Sequence, residues 1–381
     1  MRNLSVVLFD RATLPYLHTG KEIFGPRARY LVIPFYLQNR TSSETTTLEM
    51  LYSSSADIKI AVIEDDYEKR SSANLAMFDA VIVITPEIII NNDLINRCKE
   101  KYNNSNLFVI AGGKLQWITD NSDVYYYPWL MLNVSLLNVY RPIANSKKEK
   151  LFDCLLGSNK PHRKFVFDSL VAHQIIDKCY VNLLSTNQFN PTERPIEFYR
   201  STELDLLEST EALIAKSAND DVFYSMQHTL PRANTEQLYR ISNQVPWGIY
   251  ENSYYSIIAE TNDNSTFLTE KTAKALFAKR VFVMFGAQYH LKALRECGFQ
   301  TFDSILDESY DNIEDNEQRW AQAFEQVMWL ATQDPEKIYQ QAQDILDYNY
   351  LKLCDHKSFI DPLRKWLLEK LQTCIVDISL D

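Results

Sequence analysis

The sequence predicts an α/β protein with two domains in succession, followed by helices. Short apolar runs alternate with helical stretches through residues 4–113, which is typical of a sheet flanked by helices. A polar, charged and proline-containing stretch at residues 141–150 then marks a boundary, and a new strand, loop and helix follow it. Within the second half, residues 254–286 run strand, polar loop, helix and strand, which is the pattern of a β-α-β unit.

The composition agrees with two globular domains and argues against several classes of protein. A chain of 381 residues is too long for one compact core. A net charge of −11 argues against a broad electrostatic grip on DNA or RNA, which needs many uncompensated lysines and arginines. The six cysteines are scattered without a CxxC pair, and the sequence contains no GxGxxG. Zinc-site spacing and the common dinucleotide-binding loop are therefore both missing from the sequence.

The distribution of apolar residues predicts a cytoplasmic protein. The N-terminal apolar run is broken by Asp10 and Arg11, which favours a first strand over a signal peptide. No window reaches the roughly 18 apolar residues of a transmembrane helix, so we expect no membrane span.

The first domain is predicted to span residues 1–145. Its strands follow from nearly continuous apolar runs at residues 4–9, 58–63, 78–85 and 106–111. Pro86 and Glu87 are predicted to start a helix that reaches about Tyr102, because proline is favoured in a first helical turn. The aromatic patch at Tyr125–Trp129 is interpreted as core or domain interface rather than as an acceptor platform, since large aromatic side chains are usually mostly buried.

The second domain is predicted to span residues 146–353. It opens with a strand at 150–156, a helix at 164–173 and a strand at 178–184, and residues 187–246 are interpreted as loops and short helices of an insertion. After the β-α-β unit, the predicted elements are a helix at 288–297 with Gly298 as its C-cap, a strand at 300–305, and helices at 314–332, 335–350 and 355–371.

Two loops of the second domain carry cations at the start of a helix. Lys160, His162 and Arg163 cluster in the first loop, and Lys271 lies just inside the helix of the second. Cations at helix N-termini oppose the helix dipole, and a bound anion would resolve that conflict. Because both loops follow strands of one α/β domain, we predict a phosphate or diphosphate ligand there. Lys160 and Lys164 are nevertheless interpreted as surface charges.

Two motifs in these loops resemble the donor site of the α1,3-fucosyltransferases. Ser158-Asn159 is followed four residues later by Arg163, and the segment FLTEK stands at residues 267–271. That family carries a Ser-Asn…Arg loop and a Tyr-Val-Thr-Glu-Lys motif. The stretches PHRKFVFDSLVAHQIIDKCYV and FLTEKTAKALFAKRVFVMFG are also similar to glycosyltransferase-like proteins of bacteriophages and other large viruses. The resemblance covers residues 150–314.

The resemblance implies the GT-B glycosyltransferase architecture, in which two Rossmann-like domains face a cleft. The donor would bind the second domain and the acceptor the first, and the C-terminal helix, residues 354–381, would cross back to the first domain. By position, Arg163 would contact the donor diphosphate, Glu270 the ribose hydroxyls and Lys271 the phosphate. The other positions carried over to the donor site are Ser158, Asn159, Glu260, Thr269 and either Asn262 or Asn264. His162 is added as a candidate from its place beside Arg163, where it and His290 could assist the donor phosphates.

The predicted function is the metal-independent, inverting transfer of a sugar from a nucleotide-sugar donor, with a GDP-sugar as one candidate, to a hydroxyl of a glycan, a protein or a modified DNA base. No metal or cofactor is expected, because Arg163 and Lys271 could stabilise the leaving diphosphate. The reaction needs a general base, expected from the first domain. The candidates for this base are Asp65 and Glu87, which rank first, and Asp10, Glu22 and Asp66. Carboxylates at such positions are more often surface or helix-capping groups.

Two alternatives remain open. One is a non-catalytic nucleotide-binding protein that keeps the fold without a base. The other is a different phosphate-ligand enzyme, such as an epimerase or phosphatase, which the missing GxGxxG, metal and nucleophile patterns disfavour. The acidic run at residues 307–311 is interpreted as capping the helix after it rather than as a metal site. A viral protein of this kind would act in the host cytoplasm.

Overall fold

The structure is a computed structural model that describes residues 4–8, 29–32, 58–64, 75–76, 78–89, 93–115, 120–143, 146–158, 160–184 and 245–375. These residues form an α/β protein with parallel sheets, so the predicted fold class is confirmed at that level. The chain divides into two compact units: residues 1–127 with 355–381, and residues 128–354. This division lies before the boundary predicted near residue 145. Nearly all of the predicted insertion at 187–246 lies outside the described residues.

The first unit is organised around a parallel sheet. Its strands lie in the order β6-β5-β4-β3-β1-β2, and their pairings are parallel. In the central strand β4, residues 80–85 are all buried, as expected for a strand covered on both faces. The strands are β1 (Leu4–Leu8), β2 (Arg29–Val32), β3 (Ile58–Glu64), β4 (Ala80–Ile89), β5 (Leu107–Leu115) and β6 (Val124–Tyr126).

The second unit contains a smaller parallel sheet in the order β11-β9-β7-β8. From β7 the chain moves outwards to β8, and from β9 it moves outwards in the opposite direction to β11. The strand order therefore reverses between the neighbours β7 and β9, which is where open α/β sheets bind their ligands. The strands are β7 (Lys150–Ser158), β8 (Cys179–Leu184), β9 (Ser253–Ala259) and β11 (Phe282–Phe285), with the two-residue strand β10 (Ser265–Thr266) in the loop after β9.

Helices connect the strands of both units and complete the second one. In chain order they are α1 (Leu94–Tyr102), α2 (Trp129–Leu137), α3 (Pro161–Ala172), α4 (Trp247–Asn252), α5 (Glu270–Phe277), α6 (His290–Glu296), α7 (Asn316–Leu330), α8 (Pro335–Cys354) and α9 (Lys357–Gln372). Helix α3 joins β7 to β8 and α5 joins β9 to β11, so the predicted β-α-β unit is present. Gly298 follows α6 with a φ of +87°, in the left-handed conformation that a glycine C-cap adopts.

Helix α9 packs within the first unit, although it comes last in the chain. The ring of Trp366 lies 6.3 Å from that of Phe108 and 5.3 Å from that of Tyr125, between centroids. The Lys370 ammonium is 3.0 Å from the Asp123 carboxylate. These contacts attach α9 to strands β5 and β6.

Two local predictions were wrong. Pro86 and Glu87 lie inside β4, and α1 begins at Leu94. The register of β4 against β5 shifts between Thr85 and Ile88, so the proline falls at an irregularity that a strand tolerates. Residues 300–305 form turns instead of a strand, held by side chains of residues 308 and 349.

Candidate ligand-binding site

The loops after β7 and β9 lie side by side because their strands are parallel neighbours. Phe152 pairs with Tyr255 and Asp153 with Ser256, so both strands present their carboxyl ends at the same edge of the sheet. The first loop leads directly into α3, and the second leads through residues 260–269 into α5. The two helix N-termini and the charged side chains around them therefore share this edge.

Three cationic or imidazole side chains of the first loop reach across to the second. The Nε2 atom of His162 is 2.8 Å from the carbonyl oxygen of Glu260, and Arg163 donates to the same oxygen at 3.0 Å. Lys160 donates to the carbonyl of Thr261 at 2.5 Å and to the Asn262 side chain at 3.1 Å. The interpretation of Lys160 as a solvated surface charge was therefore wrong. The structure brings these predicted site residues together.

The Glu260 carboxylate organises the second loop from inside. Its side chain is fully buried, and it accepts hydrogen bonds from the backbone N–H groups of Thr261 and Thr269, at 3.1 and 3.2 Å. It also accepts from the Thr269 hydroxyl at 2.5 Å and from the Thr272 hydroxyl. With four donors, the carboxylate joins the end of β9 to the first turn of α5. Its position indicates that it shapes the loop, and the ligand contact predicted for it stays a prediction.

Thr269 caps α5 and places the next two side chains at the surface of the site. Its hydroxyl oxygen accepts from the Lys271 N–H at 3.4 Å, which is a helix N-cap. The Lys271 ammonium donates to Glu270 at 2.8 Å and to the Thr261 hydroxyl at 3.1 Å. Both side chains remain partly accessible, with 23% of Lys271 and 16% of Glu270 exposed.

Neighbouring lysines keep Glu270 ionised. Burial acts to raise the pKa of Glu270, but the charges of Lys271 and Lys274 outweigh it and lower this pKa to about 2. Burial also lowers the pKa of Lys274 to about 8, against the opposing effect of Glu270. At neutral pH, Glu270 is therefore an acceptor for hydroxyl groups, held between two lysines.

Arg163 lies beneath the loop and not at its surface. Its side chain is 3% exposed, and burial lowers the pKa of its guanidinium although Glu260 and Glu270 act to raise it. The guanidinium supports the main chain at residue 260. The direct contact with a donor diphosphate that the sequence resemblance implies for Arg163 stays a prediction.

Several polar atoms under the same loop make no hydrogen bond among the described residues. They are Nδ1 of His162, Oγ of Ser265 and both ring nitrogens of His290, all in buried side chains. The His162 Nδ1 atom lies 3.9 Å from the Asp263 carboxylate, an ion-pair distance too long for a hydrogen bond. This imidazole nevertheless lowers the pKa of Asp263. Unused polar capacity is thus present at this edge of the sheet, although the buried hydroxyls of Tyr126 and Tyr255 also have no hydrogen bond among the described residues.

Arg319 was not anticipated from the sequence, and it holds the outer side of the loop. It donates to the Gly286 carbonyl from two nitrogens, at 3.2 and 3.1 Å, and to the carbonyls of Ile313 and Glu314. It also reaches the Asp263 carbonyl at 3.5 Å. An arginine in the first turn of α7 carries no local pattern that predicts these partners, because they lie up to 56 residues away.

The acidic run at residues 307–311 has a different role from the predicted one. Asp311 accepts from the N–H groups of Leu291 and Lys292, both at 2.9 Å, so it caps the preceding helix α6. The following helix α7 is capped by Asp315 instead. Asp307 caps the 3-10 helix formed by Glu308–Asn312. The run is therefore a capping element, as expected, but mainly for a helix that precedes it.

The other predicted site residues are placed less completely. Ser158 ends strand β7 and Glu87 lies in β4, while the side chains of both are outside the described part of the structure. Asp65 and Asn159 lie outside the described residues altogether, as do Asp10, Glu22 and Asp66. The general base thus stays a prediction.

Comparison with known proteins assigns neither a family nor a function to this site. No protein-family model matches the chain, and no curated protein matches it either. Among the described helices, none has the length and apolar character that a membrane crossing requires. Within the same residues, no cluster of three or more His, Cys, Asp and Glu side chains is arranged to hold a metal ion.

Proposed function

We propose that the protein is a glycosyltransferase that moves a sugar from a nucleotide-sugar donor to a hydroxyl acceptor. The observation that carries the proposal is the meeting of two cation-bearing loops where the strand order of the second sheet reverses. Nucleotides and phosphates bind open α/β sheets at this position. With the resemblance to fucosyltransferases, this supports a GT-B architecture of two Rossmann-like domains, with the donor in the second and the acceptor in the first.

Lys271 and Glu270 are the side chains best placed to contact the donor. Lys271 is partly exposed at the N-terminus of α5, where its ammonium and the positive end of the helix dipole both favour a phosphate. Glu270 is ionised and beside it, so it can accept hydrogen bonds from the two hydroxyls of a ribose. Arg163 and Glu260 hold the loop that carries both residues.

In the proposed reaction, a base removes the proton of the acceptor hydroxyl as its oxygen attacks the anomeric carbon of the donor sugar. The bond from that carbon to the diphosphate breaks, and the nucleoside diphosphate leaves with the additional negative charge. Lys271 stabilises this charge directly, and buried Arg163 does so through its field. We assign the base to the first domain, with Asp65 and Glu87 as the candidates from the sequence.

Calorimetric titration with nucleoside diphosphates and nucleotide sugars tests the proposal. We expect one nucleotide to bind, and Lys271→Ala to weaken it about tenfold or more, since a charge-assisted hydrogen bond contributes about 1.5–3 kcal/mol. Lys292→Ala is the matched control, because this exposed lysine of α6 pairs with Glu296 on the surface. Equal affinities for wild type and Lys271→Ala would place the nucleotide elsewhere.

Turnover of the bound donor separates the enzyme from its alternatives. Release of nucleoside diphosphate from the nucleotide sugar, with or without an added glycan or hydroxymethylated DNA, supports a transferase. Binding that depends on Lys271 without any turnover supports the non-catalytic nucleotide-binding alternative. Binding of no nucleotide at all contradicts both.

A further inference from the structure

The strongest further observation at the site is that two ammonium groups from different loops converge on one residue. Lys160 is the N-cap residue of α3 and donates to the Thr261 carbonyl at 2.5 Å. Lys271 is in the first turn of α5 and donates to the Thr261 hydroxyl at 3.1 Å. Both cations therefore lie against Thr261, one on its main chain and one on its side chain.

From this convergence we propose that Lys160 and Lys271 form a lysine clamp that binds the diphosphate of the ligand across Thr261. The inference rests on the proposed function, because it names a second phosphate-binding residue of the same site. Neither the fucosyltransferase-like motifs nor the surface-charge interpretation of the sequence assigns a ligand contact to Lys160.

Electrostatics favours an anion at the lysine clamp. The three acceptors in residues 261 and 262 are a carbonyl, an amide oxygen and a hydroxyl, which are all uncharged. Lys271 also contacts the Glu270 carboxylate at 2.8 Å, but Lys274 acts on the same carboxylate, so one negative charge is shared between two lysines. The two ammonium groups repel each other because both contact Thr261, and each is also opposed by the positive end of its own helix. A diphosphate carries enough negative charge to offset both effects, and two ammonium groups can contact its two phosphoryl groups at once.

A second observation at the same loop points to a polar ligand. His162 follows Lys160 by two residues and is fully buried, yet its Nδ1 atom makes no hydrogen bond within the described part of the chain. The Ser265 hydroxyl, in the loop that Lys160 contacts, is in the same condition. Buried polar groups are nearly always paired, and a polar ligand with its bridging waters supplies the missing partners.

The lysine clamp also links ligand binding to the shape of the loop. A diphosphate that accepts from both ammonium groups competes with Thr261 and Asn262 for the same N–H donors. Residues 261 and 262 must then exchange these contacts, while the Glu260 carboxylate keeps the base of the loop in place through its four hydrogen bonds.

Calorimetric titration of the full chain with inorganic pyrophosphate and with GDP tests the clamp. We expect Lys160→Gln and Lys271→Gln each to raise the Kd for pyrophosphate about tenfold, and we expect Lys160→Arg, which keeps the charge, to recover most of the affinity. Lys164→Gln is the matched control, because this lysine is four residues further along the chain and pairs with Asp168 on the exposed face of α3. It should bind pyrophosphate as the wild type does.

Specific results would overturn the clamp. They are a wild-type chain that does not bind pyrophosphate, a folded Lys160→Gln variant that binds it normally, or an equal loss in Lys164→Gln. A thermal melt of each variant without ligand establishes that it is folded. The glycosyltransferase proposal is tested separately. Pyrophosphate binding that depends on both lysines, without turnover of any nucleotide sugar, would contradict the enzyme and support the clamp. Turnover with unchanged pyrophosphate affinity in Lys160→Gln removes the clamp and leaves the enzyme.

Discussion

Two buried polar networks lie at different ends of the strands β7 and β9, and they differ in how completely their hydrogen-bonding groups are used. The first joins Asp153 to Arg280 near the amino-terminal ends of the strands. The second surrounds Glu260 at the carboxyl-terminal edge. Both place ionised groups inside the second unit, where an unpaired charge is costly.

The amino-terminal network is saturated. Arg280 is 1% exposed, and each of its five N–H groups has an acceptor. Its Nη2 lies 2.5 Å from the Asp153 carboxylate, which also accepts from the hydroxyls of Ser253 and Ser256. This network joins Asp153 of β7 and two serines of β9 to Arg280, which lies two residues before β11, and the guanidinium has no N–H group left for a ligand.

The carboxyl-terminal network is saturated at its base and open above it. Glu260 has four donors, whereas His162, Ser265 and His290 retain unused polar atoms and Lys271 remains partly exposed. Burial of charge therefore does not identify a functional site in this protein. In the proposed site, buried groups with unmet hydrogen-bonding capacity lie beside the partly exposed Lys271.

The largest effect on stability is expected at the saturated network. Arg280→Met leaves the Asp153 carboxylate buried without a counter-charge, and breaking a buried pair in this way costs about 3–5 kcal/mol. Urea denaturation should show this loss in the free energy of unfolding. The double variant Asp153→Leu/Arg280→Met should recover more than half of it, because both charges are removed. A single-variant loss below about 1 kcal/mol would contradict the structural role assigned to the pair.

A smaller loss is expected at Glu260, at the base of the proposed ligand site. Glu260→Gln replaces one of the two acceptor oxygens with an NH₂ group that faces hydrogen-bond donors, so the free energy of unfolding should fall by about 2 kcal/mol. Hydrogen exchange of the Thr269 amide should accelerate, because its acceptor is weakened. Glu296→Gln, at an exposed ion pair on α6, is the control and should change neither quantity. Normal exchange at Thr269 would show that Glu260 does not hold the loop.

The smallest effect on the free energy of unfolding at neutral pH is expected at His290, which belongs to the part of the network with unused polar atoms. His290 makes no hydrogen bond among the described residues, so His290→Leu should change the free energy of unfolding by less than about 1 kcal/mol at pH 7.5. Burial lowers the pKa of His290 below its ordinary value, although Glu260, Asp311 and the Phe267 backbone act to raise it. The nearby His162 adds to the lowering.

This lowered pKa predicts a dependence of stability on pH. As the pH falls, the imidazole in the unfolded chain binds a proton near pH 6.5, before the imidazole in the folded chain does. The contribution of neutral His290 to the free energy of unfolding is therefore complete above pH 6.5 and is lost as the pH falls below it. Denaturation at pH 7.5 and pH 5.5 should therefore show a smaller acid-induced loss in His290→Leu than in the wild type. His173→Leu, at an exposed histidine of the same unit, is the control. Equal losses in wild type and His290→Leu would exclude His290 as the cause.

Much of the fold was readable because its signals are local. Continuous apolar runs marked the buried parallel strands, and Thr269 marked the start of α5 by its capping hydroxyl. The prediction of one anion site for the two cation-bearing loops also followed from sequence order, since both loops follow strands of one α/β domain. Lys160 was not assigned to that site. Strand β2 and helix α2 carried weaker patterns and were missed.

The remaining features depend on residues that are distant in the chain. Arg280 meets Asp153 across 127 residues, and Gln300 meets Asn349 across 49. Contacts between residues so far apart leave no periodic pattern in the local sequence. In the sequence, Arg280 therefore looks like any other surface charge before a strand. Pro86 resembled a helix start because the strand irregularity that accommodates it arises from its pairing with β5 and not from its neighbours in sequence.

The position of α9 has a consequence for the order in which the protein matures during synthesis. The first unit contains residues from both ends of the chain, and Trp366 supplies a ring against Phe108 and Tyr125. A ribosome completes every residue of the second unit before it reaches Trp366. The second unit can therefore finish folding while the first still lacks α9.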